Sequence, residues 1–489
     1  MKIESLIIPC AAVAAVALSI LPAFAAPTPT AAPTPMSVGT APPNVMGTAP
    51  PNVKPTPTPQ PASSPAASKN VPPLGGEMHA AVPAELSLSQ AQDIALAASP
   101  DLEIARAVVD QNNATIGIAR SGELPNISAN ANYLRAKSNF RISGGSTVPF
   151  VGTQDAGSVD LKQLILDGGR VNALVQAARY STEAAKLTLL RSIQTVLLTV
   201  AQEYYTALEG RHQFEAAEKS LQNAKVQERL VEAQFHAGVA SKADVLTAQL
   251  PVAQAEVNVA SAQGMEAQNV AALLTTMGVP ATTPVTLKDD TAVTAIQPAL
   301  RELVSTALHQ RTDLYAAQTN LWQAQANVRA AKLQAFPNIS ATASSGTAST
   351  TVNGQNYASN WSLGASLSFP LYSGGLIRSQ ADQARAFQQQ AEASLRSTEL
   401  NVYLNVQQAY TLLQTSGSSL NAAKVAQDQA RVLLDVTNAQ YKAGVTTLPL
   451  LLNAQTQLTT AQSQYVQALY VYKFAQQNLL YAEGTIAPM

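Results

Sequence analysis

The sequence predicts a mainly helical, internally duplicated chain with a small membrane-spanning β part. Its long coiled-coil helices form a barrel-like tube, and its β-barrel needs several copies to close. Three observations carry this. Gly169 to Gly238 encloses 68 residues with no proline and one interior glycine, Gly210. The stretch recurs 206 positions later, taking Gly169 to Gly375, Gly238 to Gly444 and Gly278 to Gly484. Between the helical runs, each half holds two segments that alternate in polarity with period 2, as half-buried strands do.

The long stretches are rich in Ala, Gln, Leu and Glu, which favour helix. At about 1.5 Å per residue each would extend on the order of 100 Å, a length typical of coiled coils or helical tubes. Gly210 maps onto Ser416, beside Gly417, so both copies are expected to loosen near mid-length.

Composition narrows the function. The 489 residues carry a formal charge of -1, without the basic surplus of a nucleic-acid protein. Only 12% are charged, against roughly 25% in ordinary soluble domains, so uncharged polar residues supply much of the surface. The single cysteine, Cys10, sits in the leader, so the mature chain has no disulfide or thiolate metal site.

Residues 1–25 read as a secretory signal peptide: Lys2, an apolar run from Leu6 to Leu21, and Ala23-Phe24-Ala25 as the cleavage site. Residues 26–84 hold 16 of the 29 prolines and a tandem GTAPPNV, and read as a disordered linker. The first repeat spans 85–280, a linker 281–297, the second repeat 298–484 and a tail 485–489. No segment after the leader has about 20 consecutive apolar residues, so no membrane-spanning helix is expected.

Helical periodicity runs from Leu88 to Ala98, breaks at Ser99-Pro100, and resumes from Leu102 until Pro125 forbids it. From Asn126 the even positions are Asn, Ser, Asn and Asn; the odd ones are Ile127, Ala129, Ala131 and Tyr133. Residues 140–157 read as a loop, Ser158 to Ile165 as a second strand, and Asp167-Gly168-Gly169 as the turn into the long helix. That helix ends near Phe235, and the AGV at 237–239 reverses the chain. The returning helix places apolar residues at 245, 248, 252, 255, 259 and 262, with a kink expected at Pro251. The second copy repeats this plan. FPNIS (336–340) echoes LPNIS (124–128), and AGV recurs at 443–445. In its last strand Trp361, Leu363, Ala365, Leu367 and Phe369 oppose Ser362, Gly364, Ser366 and Ser368.

Strands of about 8–10 residues nearly match the length a tilted strand needs to cross a bilayer. One face is Ser, Thr, Asn and Gly, suited to water; the other is apolar, with Tyr133, Trp361 and Phe369 as interface aromatics. Four strands cannot close a barrel and an open edge cannot face lipid, so chains must combine. Two would give eight strands and three would give twelve.

Eight markers recur in register: ASPDL (98–102), LP (124–125), DGG (167–169), FHAGVASKADVL (235–246), QRTDL (310–314), FP (336–337), FPLYSGG (369–375) and YKAGVTTLPLL (441–451). On these the chain resembles the TolC-like outer-membrane efflux channels over about residues 86–484. The resemblance implies a homotrimer with a twelve-stranded barrel in outer-membrane lipid and helices projecting into the periplasm. It implies passive export of substrates delivered by an inner-membrane transporter and a periplasmic adaptor of an efflux or type I secretion system. The adaptor would dock at the tip formed by Ala237, Gly238, Val239, Lys242, Ala443, Gly444 and Val445. Asp244 is the one candidate for an acidic ring at the periplasmic aperture, since Leu448-Pro449-Leu450 stands where a mirror acid would be. A plain helix N-terminal charge explains Asp244 equally well.

No enzymatic constellation and no cofactor motif is present; His79, His212, His236 and His309 are scattered. A secreted coiled-coil stalk or adhesin without a pore would explain the heptads but not the four two-faced strands. A periplasmic enzyme or binding protein on a helical scaffold has no site to point to.

Overall fold

The duplication is written into the backbone. In the computed structural model the only positive-φ residues described are eight glycines. They form four pairs 206 positions apart: Gly168 and Gly374, Gly169 and Gly375, Gly238 and Gly444, Gly278 and Gly484. Each pair agrees within 10° in φ. The described residues are 83–141, 147–289, 298–351 and 357–487, all in the unit Gly75–Met489. The signal peptide, nearly all of the proline-rich segment, and residues 290–297 of the linker lie outside them.

The first repeat runs β1 (Glu85–Leu86), α1 (Leu88–Ala98), α2 (Pro100–Ser121), β2 (Asn126–Arg141), β3 (Thr147–Leu166), α3 (Arg170–His236) and α4 (Lys242–Thr276). The second runs β4 (Thr286–Leu287), α5 (Leu300–Gln310), α6 (Thr312–Leu333), β5 (Asn338–Thr351), β6 (Tyr357–Ser368), α7 (Leu376–Lys442) and α8 (Leu448–Glu483). Both long helices have 67 residues, about 100 Å of rise.

Local chemistry sets the ends. Ser87 and Gln90 form a capping box on α1, and Pro100 occupies the first turn of α2, where its missing N–H costs nothing. Asp167 caps α3: its carboxylate accepts from the amides of Gly169, Arg170 and Val171 at 2.7–3.1 Å. Ser373 takes the equivalent place before α7, with a longer contact to the Ile377 amide of 3.5 Å.

The largest core lies where β1, α1, α5 and β4 lie against the middle of the long helices. Leu86, Ala91, Leu102, Val200, Leu273 and Val402 are fully buried there. Each large apolar side chain so buried contributes about 1.5–3 kcal/mol. Within it the Leu86 carbonyl accepts from both the Lys288 amide at 2.8 Å and the Tyr204 hydroxyl at 3.0 Å. Of the periodic α4 positions Val245, Ala248 and Ala255 are buried and Val252, Val259 and Ala262 half-buried; on α8 Leu451, Ala454, Ala461 and Tyr472 are buried.

Four expectations change. The strands have 16, 20, 14 and 12 residues rather than 8–10. Thr147–Gly157 is strand, not loop, because each of its residues faces a partner on β2; only 142–146 of the expected loop lies outside the described residues. The linker is structured in part, since Thr286–Leu287 pairs in parallel with Glu85–Leu86. Gly210 and Ser416-Gly417 do not loosen their helices, which run unbroken through them. A Cβ on Gly210 would lie 2.9 Å from Asn269 Nδ2, and one on Gly417 would lie 3.3 Å from the Tyr472 ring. Both are places where the returning helix approaches closely. Helix α4 continues through Pro251 as one element. One 18-residue window of α3 reaches a mean hydropathy of 1.2, enough for a membrane helix by composition. Of that window 28% is buried, in a helix that packs on α2, α4, α6 and α8.

Candidate functional site

Two regions carry the functional geometry: the sheet, and the two helical turns some 100 Å along the chain's long helices from it.

The sheet is antiparallel throughout, in the order β2-β3-β5-β6, so β2 and β6 are edges with one unpaired side each. The pairing brings like residues into rows. Ser128, Asp160, Ser344 and Ser362 share one row on the polar face; Ile127, Leu161, Ala343 and Leu363 share one on the other. Asp160 ties three strands together. Its Oδ2 accepts from Asn130 Nδ2 and Ser158 Oγ, both at 2.8 Å, and its Oδ1 accepts from Ser344 Oγ at 2.6 Å. Among the described side chains of the polar face, Asp160 and Lys162 are the only charged ones.

The apolar face is open. Ile127, Trp361, Leu363 and Leu367 are each more than two-thirds exposed, which is unfavourable against water and favourable against hydrocarbon. Tyr133 is 69% and Trp361 81% exposed on this face; Phe369, 54% exposed, lies one residue beyond β6. Next to it Leu371 and Tyr372 are the most exposed large apolar residues described, at 86% and 89%. They lie in the junction between β6 and α7. Periodicity could not flag them, because they lie in the irregular turn.

At the far turns, Gly238 and Gly444 have φ of 75° and 74°. That conformation lets the Val239 amide reach the Gln234 carbonyl at 2.8 Å and the Val445 amide reach the Gln440 carbonyl at 3.0 Å, closing each helix end. Ala237, Gly238, Val239, Ala443, Gly444 and Val445 are all exposed, as are Lys242 and Lys442. Lys242 Nζ stands 5.9 Å from the Phe235 ring centre. Leu246, Leu250 and Leu450 add exposed apolar surface beside them.

Asp244 is committed to a capping box. Its Oδ2 accepts from the Ser241 amide at 2.8 Å and hydroxyl at 2.7 Å, while its own amide donates to Ser241 Oγ at 3.2 Å. The Ser241 hydroxyl and then its amide hold this carboxyl below the usual Asp range. The matching α8 start has Thr447 at the cap with no side-chain bond and Pro449 in the first turn.

The two turns meet. Val231, Val245, Ala248 and Leu448 form a small buried cluster, and the Tyr441 hydroxyl donates to Gln234 Oε1 at 3.1 Å. Sequence reasoning placed both turns at one tip but missed this pair, which no local pattern announces. Among the described residues no group of three or more His, Cys, Asp or Glu is arranged to hold a metal.

The profile of a family described as outer membrane efflux protein matches residues 92–279 and 303–485. The solvent efflux pump outer membrane protein SrpC of Pseudomonas putida is 27% identical over 375 residues, 74% of this chain and 78% of that one. The pyoverdine export outer membrane protein OpmQ of Pseudomonas aeruginosa is 27% identical over 393 residues, 76% and 79% of the two chains. The crystal structure of the Campylobacter jejuni CmeC outer membrane channel superposes with a TM-score of 0.70 at 18% identity, covering 81% of this chain and 85% of that one.

Proposed function

The chain belongs to the outer membrane efflux protein family, and from that premise we propose that three copies close a single exit duct. It is an outer-membrane efflux channel subunit, working with an inner-membrane transporter and a periplasmic adaptor.

The observation that carries the trimer is the four-stranded sheet with alternating faces and two unpaired edges. Four strands are too few for a closed barrel, and unpaired backbone cannot face hydrocarbon. Three copies supply twelve strands and leave no edge. Their polar faces then line a watery lumen, while Tyr133, Trp361, Phe369, Leu371 and Tyr372 face lipid and its interface. Solutes pass by diffusion, since the lining offers hydroxyls and amides and few fixed charges.

The helical turns form the periplasmic entrance. The adaptor docks on Ala237, Gly238, Val239, Lys242, Ala443, Gly444 and Val445, where apolar and basic groups stand exposed on a rigid turn. The Tyr441–Gln234 bond and the cluster beneath it hold the two hairpins together in the closed entrance, and Asp244 contributes a negative charge beside it. The matching relatives are named for solvent and for pyoverdine export, which fits a generic duct whose cargo is chosen by the inner-membrane transporter.

The test is the mass of the particle extracted from outer membranes in mild detergent, corrected for bound detergent, followed by conductance in planar bilayers. Three chains per particle and ion conductance are expected. A monomer that stays in solution without detergent would overturn the duct.

A further inference from the structure

The seam between copies has a definite register, and the internal repeat specifies it. This inference rests on the three-copy reading above. Strand β2 maps onto β5 by 212 positions, as LPNIS maps onto FPNIS, and β3 maps onto β6 by the 206 of the glycine pairs. These offsets convert the first hairpin's pairing into the second's. Asn126 opposite Lys162 becomes Asn338 opposite Ser368, Ala131 opposite Gly157 becomes Ala343 opposite Leu363, and Tyr133 opposite Asp155 becomes Ser345 opposite Trp361. All three pairs occur. The hairpins are therefore equivalent residue by residue.

In a ring of such hairpins the β3–β5 contact joins a first repeat to a second. The contact of β6 with β2 of the next copy joins a second repeat to a first, in the same sense around the ring. We propose that β6 pairs with the next copy's β2 in the register that β3 and β5 use within the chain. Carried through the offsets, Leu161 opposite Ala343 becomes Leu367 opposite Ala131 of the next copy. Gly157 opposite Thr347 becomes Leu363 opposite Arg135, and Asp155 opposite Ser349 becomes Trp361 opposite Lys137.

Two features agree with this register. It keeps odd positions opposite odd positions, so the apolar face continues across the seam; a one-residue slip would turn it over. It also brings the exposed Trp361 indole against Lys137 and diagonally against Arg135 of the next copy. Both cations stand on the apolar face without an ion-pair partner among the described residues, and an aromatic face is a fitting neighbour for them.

The one cysteine, Cys10, lies in the expected signal peptide and outside the sheet, which makes the test direct. Leu367→Cys is combined in turn with Ala129→Cys, Ala131→Cys and Tyr133→Cys, and outer membranes are oxidised with copper phenanthroline. A second set combines Leu363→Cys with Tyr133→Cys, Arg135→Cys and Lys137→Cys. Covalent dimers and trimers at several-fold higher yield for Leu367 with Ala131, and for Leu363 with Arg135, are expected. Highest yield at a flanking partner in both sets, or no ladder from particles of trimer mass, overturns the register alone. Particles of monomer mass from the wild-type chain overturn the trimer, and the register with it.

Discussion

The Tyr441 hydroxyl lies 3.1 Å from Gln234 Oε1, joining the ends of two helical hairpins whose residues are 207 positions apart. It is the one side-chain hydrogen bond described between α3 and α7 at this tip. Tyr441→Phe removes the bond and keeps the ring. A hydrogen bond of this kind is worth about 1 kcal/mol net, so the closed entrance should lose about fivefold in relative population. Single-channel recording should show more frequent or longer openings in the variant; identical open probability would remove this bond from the closure.

Asp244 has two roles to separate, a helix cap and a charge at the entrance. Ser241→Ala destroys the cap, at a typical cost of about 1 kcal/mol, and leaves the carboxylate in place. Asp244→Ala removes both. A reversal potential under a salt gradient that moves for Asp244→Ala and not for Ser241→Ala assigns the charge to the ion path; equal behaviour leaves the cap alone.

The same group gives a pH dependence. Its folded value is depressed, so its stabilising effect is complete above the ordinary Asp value of about 3.9 and is lost as pH falls through the folded value. Amide exchange of the Ser241 N–H should accelerate over that acid range relative to other helix starts. The Asp244→Asn channel should show no such step.

Gly238 and Gly444 have open space where a Cβ would go, so size is not what excludes other residues there. Their positive φ is, at roughly 1–2 kcal/mol for a residue with a side chain. Val at either position should distort the exposed turn and abolish export while the detergent particle keeps its mass. Wild-type export from both variants would contradict docking at the turns.

Gly210 distinguishes close approach from flexibility. Alanine there meets the movable end of Asn269, whose Nδ2 now donates to the Thr206 carbonyl at 3.2 Å. Gly210→Ala should leave the melting temperature of the particle within a few degrees, since helix propensity gained offsets the displaced amide. Gly210→Leu meets the Glu266 backbone as well and should lower it clearly.

The helices were legible because their signals are local. Glycines end them, Asp167 and Ser241 cap them, and heptads such as Val245, Ala248 and Ala255 mark the buried side. The strands were legible only where polarity alternates cleanly. Thr147–Gly157 contains Pro149 and Gly152 and reads as loop, yet β2 pairs with all of it. Its strand character comes from a neighbour and not from its own residues. The two far turns were legible, but the contact between them was not. Tyr441 with Gln234, and Asp160 with its three donors, are meetings of residues far apart in the chain, and one sequence carries no signal for such pairs.

The turns after α3 and α7 share a backbone but not a chemistry. One leads to a helix locked by the Ser241–Asp244 box, the other to a helix whose Thr447 cap makes no side-chain bond and whose next turn holds Pro449. A three-copy duct therefore presents six near-identical shapes of two alternating kinds around its rim. A ring of six like molecules seated there would have to grip in two modes, or else bind as three pairs. In the proposed three-copy duct, one serine–aspartate pair thus divides the rim into two kinds of seat.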